Sequence, residues 1–250
     1  MLRKCLVSAP SNIALIKYMG KEDAVLNLPT NPSLSMTLNH LRTWVEIECG
    51  HSVAGDISWV PEMPAHSEMS SRLPPSVPKL SGAGVERIVK HAHWVRNAVS
   101  EIFPAYGLVP AKHSSLQIKT ANTFPAASGI ASSASSFAAV TLATALISSE
   151  DMDSFKSLWK DKSIGPRFRR DLAQVSRQGS GSSCRSFEGP WVFWKDAIAS
   201  PVESSLPDMT DLVVLISSDS KEISSSQAHA MVKSSPLWQG RVDRAQGRVR

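Results

Sequence analysis

Residues 122–148 read NTFPAASGIASSASSFAAVTLATALIS, a turn of small residues that runs into an alanine-rich segment. The segment 133–148 contains neither proline nor glycine, so it predicts a buried helix. Gly129 permits a turn that other residues resist. The N-terminus of the helix then offers unpaired N–H groups and a partial positive charge, which together bind phosphate. No lysine follows the glycine as in a Walker A loop. An ordinary serine-capped helix after a tight turn is the alternative interpretation.

Two further stretches have the composition of anion sites. GSGSSCRS at 179–186 combines hydroxyls and backbone amides with the guanidinium of Arg185. KYMGK at 17–21 places two lysines beside a tyrosine where a predicted strand ends. The plainer alternatives are a flexible loop for the first stretch and a solvated strand end for the second. Cys184 lacks an identifiable histidine partner, which favours a packed thiol over a nucleophile.

The composition narrows the classes of function. The chain has 250 residues, 27 Lys+Arg against 22 Asp+Glu, and a net charge of +5, which suits a phosphorylated small molecule. Aromatic residues make up only 6% and no long basic run occurs, which argues against nucleic acid. No stretch approaches the ~18 apolar residues of a membrane span, and the N-terminus does not resemble a signal peptide.

Cysteine and histidine usage predicts a reduced, cytoplasmic protein with no metal-ligand cluster. The three cysteines are scattered, and none has zinc-site spacing with another cysteine or a histidine. His91 and His93 are two residues apart and so do not share a helix face, while His229 and the other histidines are isolated. No histidine is therefore assigned a functional role.

Hydrophobic periodicity predicts the order of the elements along the chain. A polar segment rich in proline, at 50–82, is interpreted as a surface insertion. The predicted strands are 5–18, two short strands within 34–47, 115–119, 191–194 and 212–216; the predicted helices are 84–103, 133–148 and 167–176.

The motifs together resemble the diphosphomevalonate decarboxylase family of the GHMP kinase superfamily. APSNIALIKYMGK at 9–21 and NLPTNPSLS at 27–35 resemble the opening of that family. NTFPAASGIASSAS at 122–135 resembles its phosphate loop, and GSGSSCRS at 179–186 its diphosphate-binding turn. KEISS at 221–225 and SPLW at 235–238 resemble its later segments. The resemblance covers the chain apart from the insertion.

The resemblance implies an ATP-dependent step of isoprenoid biosynthesis. The family phosphorylates the tertiary hydroxyl of mevalonate 5-diphosphate, and loss of phosphate and carbon dioxide gives isopentenyl diphosphate, with Mg²⁺ as the expected ion. The implied fold is α+β: an N-terminal domain like domain 2 of ribosomal protein S5 at 1–187, then a ferredoxin-like domain at 188–250 that is incomplete. A homodimer is the expected assembly.

The resemblance also assigns site residues. Lys17 would lie near the reacting end of the substrate, and Ser225 would face the transferred phosphoryl group. The implied diphosphate-binding residues are Tyr18, Lys21, Arg87, Ser180, Ser182 and Arg185. The implied nucleotide-binding residues are Pro125, Gly129, Ser132 and Ser133.

Two positions depart from the family pattern. Met19 replaces the usual tryptophan, a tolerable packing change. The catalytic aspartate of the family belongs to a segment well beyond the one matched by Ser225, and no aspartate in 1–250 stands in that motif. This predicts a truncated chain of reduced or no activity. The alternatives are a catalytically dead paralogue that binds nucleotide or a partner, and a related kinase or decarboxylase acting on a monophosphate.

Overall fold

A computed structural model describes residues 3–50, 56–65, 69, 73–112, 115–125, 132–203, 209–214 and 225–248. The strands within these ranges are β1 (Lys4–Ile16), β2 (Lys21–Asp23), β3 (Leu28–Pro29), β4 (Ser33–Gly50), β5 (Asp56–Trp59), β6 (Ser115–Asn122), β7 (Trp191–Lys195) and β8 (Ile198–Pro201). The α-helices are α1 (Gly82–Ile102), α2 (Ser132–Ile147), α3 (Met152–Lys160), α4 (Gly165–Arg177), α5 (Ser225–Met231) and α6 (Arg241–Gly247). Short 3-10 helices cover Phe103–Tyr106, Gly181–Ser186, Val232–Ser234 and Pro236–Trp238. None of the described helices is long and apolar enough to cross a membrane.

Strand β4 organises the main sheet. Antiparallel β1 pairs along almost its whole length, while on its other side β6 pairs with the C-terminal half and β7 with the N-terminal end. The sheet order is β5-β6-β4-β7-β8, with β1 joined to β4, and β5–β6 is the parallel pair. Both ends of β4 therefore pair with strands from distant parts of the chain.

Three strand predictions need correction. The segment 34–47 belongs to a single 18-residue strand. The pairing jumps from Pro10↔Arg42 to Ser11↔Leu38, so a bulge absorbs residues 39–41 without ending the strand. The 50–82 insertion is not only a surface loop, because it contributes β5. Residues 212–214 form no strand and are exposed, since no described strand pairs with them; 215 and 216 lie outside the described residues.

Helix α2 lies at the centre of the core. Small side chains let it approach closely, and it packs against β1, β4, α1 and α4. Helix α1 presents a buried stripe of Ile88, Ala92, Val95 and Val99 at three- and four-residue spacing. The predictions of these two helices are confirmed to within about two residues at each end. The packing fixes the N-terminus of α2 above the sheet, where the site residues converge.

The main sheet continues past residue 187. Strands β7 and β8 follow that position, yet β7 pairs with β4. The domain boundary at 187/188 stays a prediction, and the residues after it supply part of the sheet that supports the site.

Candidate active site

The 3-10 helix Gly181–Ser186 is held in place by side chains from other elements. Asn12, on β1, donates from Nδ2 to the Ser182 carbonyl (3.2 Å) and to Ser186 Oγ (2.8 Å). Ser183 Oγ donates to the Ser176 hydroxyl at 2.9 Å, on α4. This segment is a buried, anchored turn and not the flexible loop considered as an alternative.

Arg185 lies inside this turn and is 3% exposed. Its guanidinium carbon is 5.7 Å from the ring centre of Tyr18 and 5.6 Å from that of Trp194, and its Nη1 donates to Ser33 Oγ. Its buried Nε has no hydrogen-bond partner among the described residues. A buried cation with an unused donor is expensive unless an anion pairs with it. Arg185 is thus suited to bind a phosphate group.

Tyr18 packs edge-on against Trp194, with ring centres 4.7 Å apart. Burial raises the pKa of Tyr18 to about 12, although the positive charge of Arg185 acts to lower it. The phenol therefore keeps its proton at neutral pH. Gly181 lies directly over the hydroxyl: a Cβ at that position would be 2.7 Å from Tyr18 Oη. Glycine is therefore required where the turn crosses the tyrosine.

Three hydroxyls connect the turn to the start of α2. Ser180 Oγ lies 3.3 Å from Ser133 Oγ and 3.3 Å from Ser182 Oγ. Ser133 is in the first turn of α2, where free backbone N–H groups and the positive end of the helix dipole attract anions. The two stretches predicted separately as anion sites thus meet at Ser180.

The basic side chains predicted for the site surround the same region. Exposed Arg87 donates to the Gly179 carbonyl at 3.1 Å, and its guanidinium carbon lies 5.1 Å from the ring centre of Phe137. Burial and the charge of Arg87 lower the pKa of Lys21. Lys17 is exposed at the end of β1, and its carbonyl accepts from Arg241 Nη2 at 2.9 Å.

His229 was not predicted as a site residue, yet α5 brings it against Tyr18. The two rings stack with centres 4.5 Å apart and an interplanar angle of 14°. His229 Nδ1 accepts from the Gly20 amide at 2.9 Å. Burial and then the charges of Lys21, Lys17 and Arg185 lower the pKa of His229 to about 4. Asn12 was also missed, although it stands in the quoted opening motif.

A cavity of about 980 Å³ opens beside Pro125. Thr123, Phe124 and Pro125 form one wall, immediately before the predicted phosphate loop, and the N-terminal half of β4 forms another. A cavity of this size is at the upper end of the range of small-molecule sites. Gly129 lies outside the described residues, as does the side chain of Ser225. The roles predicted for these two residues therefore stay predictions.

No group of three or more His, Cys, Asp or Glu side chains suited to a metal ion occurs within the described ranges.

A family model described as "Diphosphomevalonate decarboxylase-like N-terminal domain" matches residues 9–206. The chain belongs to the diphosphomevalonate decarboxylase family. The resemblance drawn from the motifs is therefore confirmed.

Similar members of the diphosphomevalonate decarboxylase family include an enzyme from Schizosaccharomyces pombe, 32% identical over 96% of this chain and 57% of the relative. The crystal structure of a mevalonate diphosphate decarboxylase from Legionella pneumophila is 35% identical, with a TM-score of 0.68, and covers 99% of this chain and 69% of that one. A third protein, MDDEF in complex with MVAPP, AMPPCP and magnesium, is 22% identical and shares the fold, with a TM-score of 0.65 over 99% of this chain and 66% of that one.

The mixed α/β architecture matches these structures, which confirms the predicted GHMP-kinase fold. The S5-like and ferredoxin-like domain assignments stay predictions. The chain spans about half the length of the curated diphosphomevalonate decarboxylases it matches, for example 57% of the fission-yeast protein and 54% of the zebrafish one.

Proposed function

We propose that residues 1–250 bind mevalonate 5-diphosphate and ATP side by side, for the ATP-dependent decarboxylation that gives isopentenyl diphosphate. The observation that carries this proposal is the contact of the diphosphate-binding turn with the start of α2, through Ser180 and Ser133 at 3.3 Å. Phosphoryl transfer consists mainly of positioning and charge neutralisation. Two anion sites that share a serine contact have the proximity that such a transfer requires.

The substrate diphosphate is assigned to Tyr18, Lys21, Ser180, Ser182 and Arg185. Arg185 supplies the unused Nε donor, and the protonated Tyr18 supplies a phenolic O–H. Lys21 adds a point charge from the strand that follows Tyr18. Arg87, held to the Gly179 carbonyl at 3.1 Å, extends the positive charge along the turn.

The nucleotide is assigned to the start of α2 and to the adjoining cavity. Ser132, Ser133 and Gly129 would hold the phosphates with backbone amides and hydroxyls. The cavity beside Pro125, about 980 Å³, has room for the base and ribose. When bound, ATP supplies the transferred phosphoryl group, and Mg²⁺, which commonly binds through substrate phosphates, neutralises their charge.

Lys17 and Ser225 are assigned to the reacting end. Lys17 is exposed where β1 ends, one residue before Tyr18, so its ammonium would stabilise charge that develops beyond the diphosphate. Ser225 begins α5, the helix that carries His229 onto Tyr18. The resemblance assigns deprotonation or orientation of the tertiary hydroxyl to an aspartate in a motif that residues 1–250 do not contain. A cytoplasmic location and a homodimer stay predictions.

Calorimetric titration with inorganic pyrophosphate tests the diphosphate site. Arg185→Ala is expected to weaken binding by about 1.5–3 kcal/mol, or roughly 10- to 150-fold, because it removes a charge-assisted hydrogen bond. Arg96→Ala is the matched control, since Arg96 contacts His93 on α1. Equal affinities for parent and Arg185→Ala, with both chains folded, would remove Arg185 from the site. Preference for orthophosphate over pyrophosphate would favour a monophosphate substrate.

A further inference from the structure

The imidazole of His229 has a defined tautomer. Its Nδ1 accepts a hydrogen bond from the Gly20 amide at 2.9 Å, so Nδ1 must carry a lone pair. The ring proton of neutral His229 therefore lies on Nε2. Within the described part of the chain no hydrogen bond uses Nε2. Its N–H donor is thus held in a fixed orientation, and none of the residues in the described ranges accepts from it.

The charges around His229 have one sign. Lys17, just after β1, and Lys21, at the start of β2, contribute positive charge from either side of Tyr18, and Arg185 does so from the 3-10 helix. Tyr18 covers one face of the ring as a neutral phenol. Together with burial, these three cations disfavour a fourth positive charge, so His229 remains neutral at physiological pH. A neutral donor hydrogen-bonds an anion without adding to the repulsion among the cations.

Two other contacts fix the segment that carries His229. A Cβ at Gly20 would lie 2.8 Å from the Trp238 ring, and Gly20 has φ +86°, so glycine is required there on both counts. Arg241 Nη2 donates to the Lys17 carbonyl at 2.9 Å. The chain from 225 to 248 is therefore bound to residues 17–20 at three places, which holds the imidazole beside the cationic group.

We propose that His229 is a substrate-binding residue whose Nε2–H donates a hydrogen bond to the diphosphate held by Tyr18, Lys21 and Arg185. This rests on the proposed function, because it places the diphosphate in that cluster. His229 then serves as both the ring that covers Tyr18 and a neutral donor among lysine and arginine side chains. Its neutral form predicts a contribution that is constant across pH 6 to 8.

Paired substitutions separate the two ring nitrogens. His229→Gln keeps an amide N–H near the position of Nε2, whereas His229→Asn keeps an acceptor near Nδ1 and loses the distal donor. With inorganic pyrophosphate as the titrant, His229→Asn is expected to bind at least ~10-fold more weakly than the parent, and His229→Gln within ~3-fold of it. His93→Asn, on the outer part of α1, is the control and is expected to bind as the parent does.

Side-chain ¹⁵N NMR of the unsubstituted chain tests the same proposal without a variant. The His229 ring is expected as the neutral Nε2–H tautomer at pH 7, with its Nε2 resonance shifting when pyrophosphate is added. An Nδ1–H tautomer, an imidazolium, or an unshifted resonance in the presence of saturating pyrophosphate would overturn the proposal. Weakening by Arg185→Ala but not by His229→Asn would reject His229 alone. If the parent itself does not bind pyrophosphate, the proposed diphosphate site is rejected together with the role of His229.

Discussion

Replacing Gly179 by alanine tests how the site depends on close packing of backbone against α2. A Cβ at Gly179 would lie 2.2 Å from Cδ1, 2.7 Å from Cγ and 2.8 Å from Cε1 of Phe137. The backbone of Gly179 is not left-handed, so alanine is excluded by space and not by conformation. The same residue's carbonyl accepts from Arg87, so relief of the clash by movement of the turn also displaces that arginine.

The size of the effect follows from the surroundings of Phe137. Carbon atoms in contact are ordinarily about 3.5–4.0 Å apart, so the ring or the turn must move by more than ~1 Å. Phe137 is 5% exposed and packs edge-on against His91 with ring centres 5.0 Å apart, which leaves little room for the ring to rotate. Overpacking of this kind costs about 1–3 kcal/mol. In a chain of this size that lowers the melting temperature by roughly 2–12 °C.

Thermal unfolding followed by circular dichroism measures this change. Gly82→Ala is the matched control, because nothing lies within 4 Å of a Cβ at Gly82. The control is expected to be neutral or up to about 1 kcal/mol more stable, since alanine lowers the entropy of the unfolded chain.

A double variant decides whether the clash with Phe137 is the cause. Phe137→Leu shortens the side chain that a new Cβ would meet. Gly179→Ala combined with Phe137→Leu is therefore expected to be more stable than the sum of the two single effects, by about 0.5 kcal/mol or more. Strict additivity, or a Gly179→Ala variant as stable as the parent, would refute the packing argument.

Four further outcomes are expected. Asn12→Ala removes two hydrogen bonds to the 3-10 turn and should lower stability in thermal melts by about 1–3 kcal/mol, with weaker pyrophosphate binding in calorimetry. Burial and Arg87 lower the pKa of His91 from 6.5 to about 3, so the unfolded chain gains a proton that the folded chain excludes. The free energy of unfolding should fall as the pH drops from 6.5 toward 3, and His91→Gln should flatten that slope in denaturant titrations. Gly129→Val should weaken ATP binding in calorimetry, whereas Gly82→Val should not. Residues 1–250 assayed alone should bind pyrophosphate and ATP but release carbon dioxide far below the ~1 per second of typical enzymes.

The long helices of the fold followed from local composition. Helix α2 was predicted at 133–148 and runs over Ser132–Ile147, because its alanine-rich sequence has no helix breaker. Helix α3 was missed, since its nine residues are too few to show a clear period. The division of β4 into two strands was wrong because a bulge is a property of the pairing with β1, and the sequence of one strand does not reveal it.

The site was predictable where a motif contains it and unpredictable where distant segments meet. The resemblance identified Tyr18 and Arg185 as members of one site, and the structure brings them within 5.7 Å. It did not identify His229, whose hydrogen-bond partner Gly20 lies 209 positions away. Nor did it assign Asn12, whose side chain contacts the 3-10 turn about 170 residues later. Neither contact leaves any periodicity in the sequence.

Ser133, Ser180 and Ser182 place three hydroxyls where the 3-10 turn meets the start of α2. Their hydrogen-bonding capacity gives a reason for serines, and not only cations, at this position. Each hydroxyl has one proton and two lone pairs, so the two contacts of 3.3 Å within the trio use at most two of the three protons. At least one O–H is left to donate outward, and rotation about Cβ–Oγ decides which one. Under the proposed function, a lysine at position 180 would fix a charge between the substrate and nucleotide phosphates whether or not they are bound. A serine instead donates to whichever phosphate is present, and it adds no repulsion to Arg185 when both sites are empty.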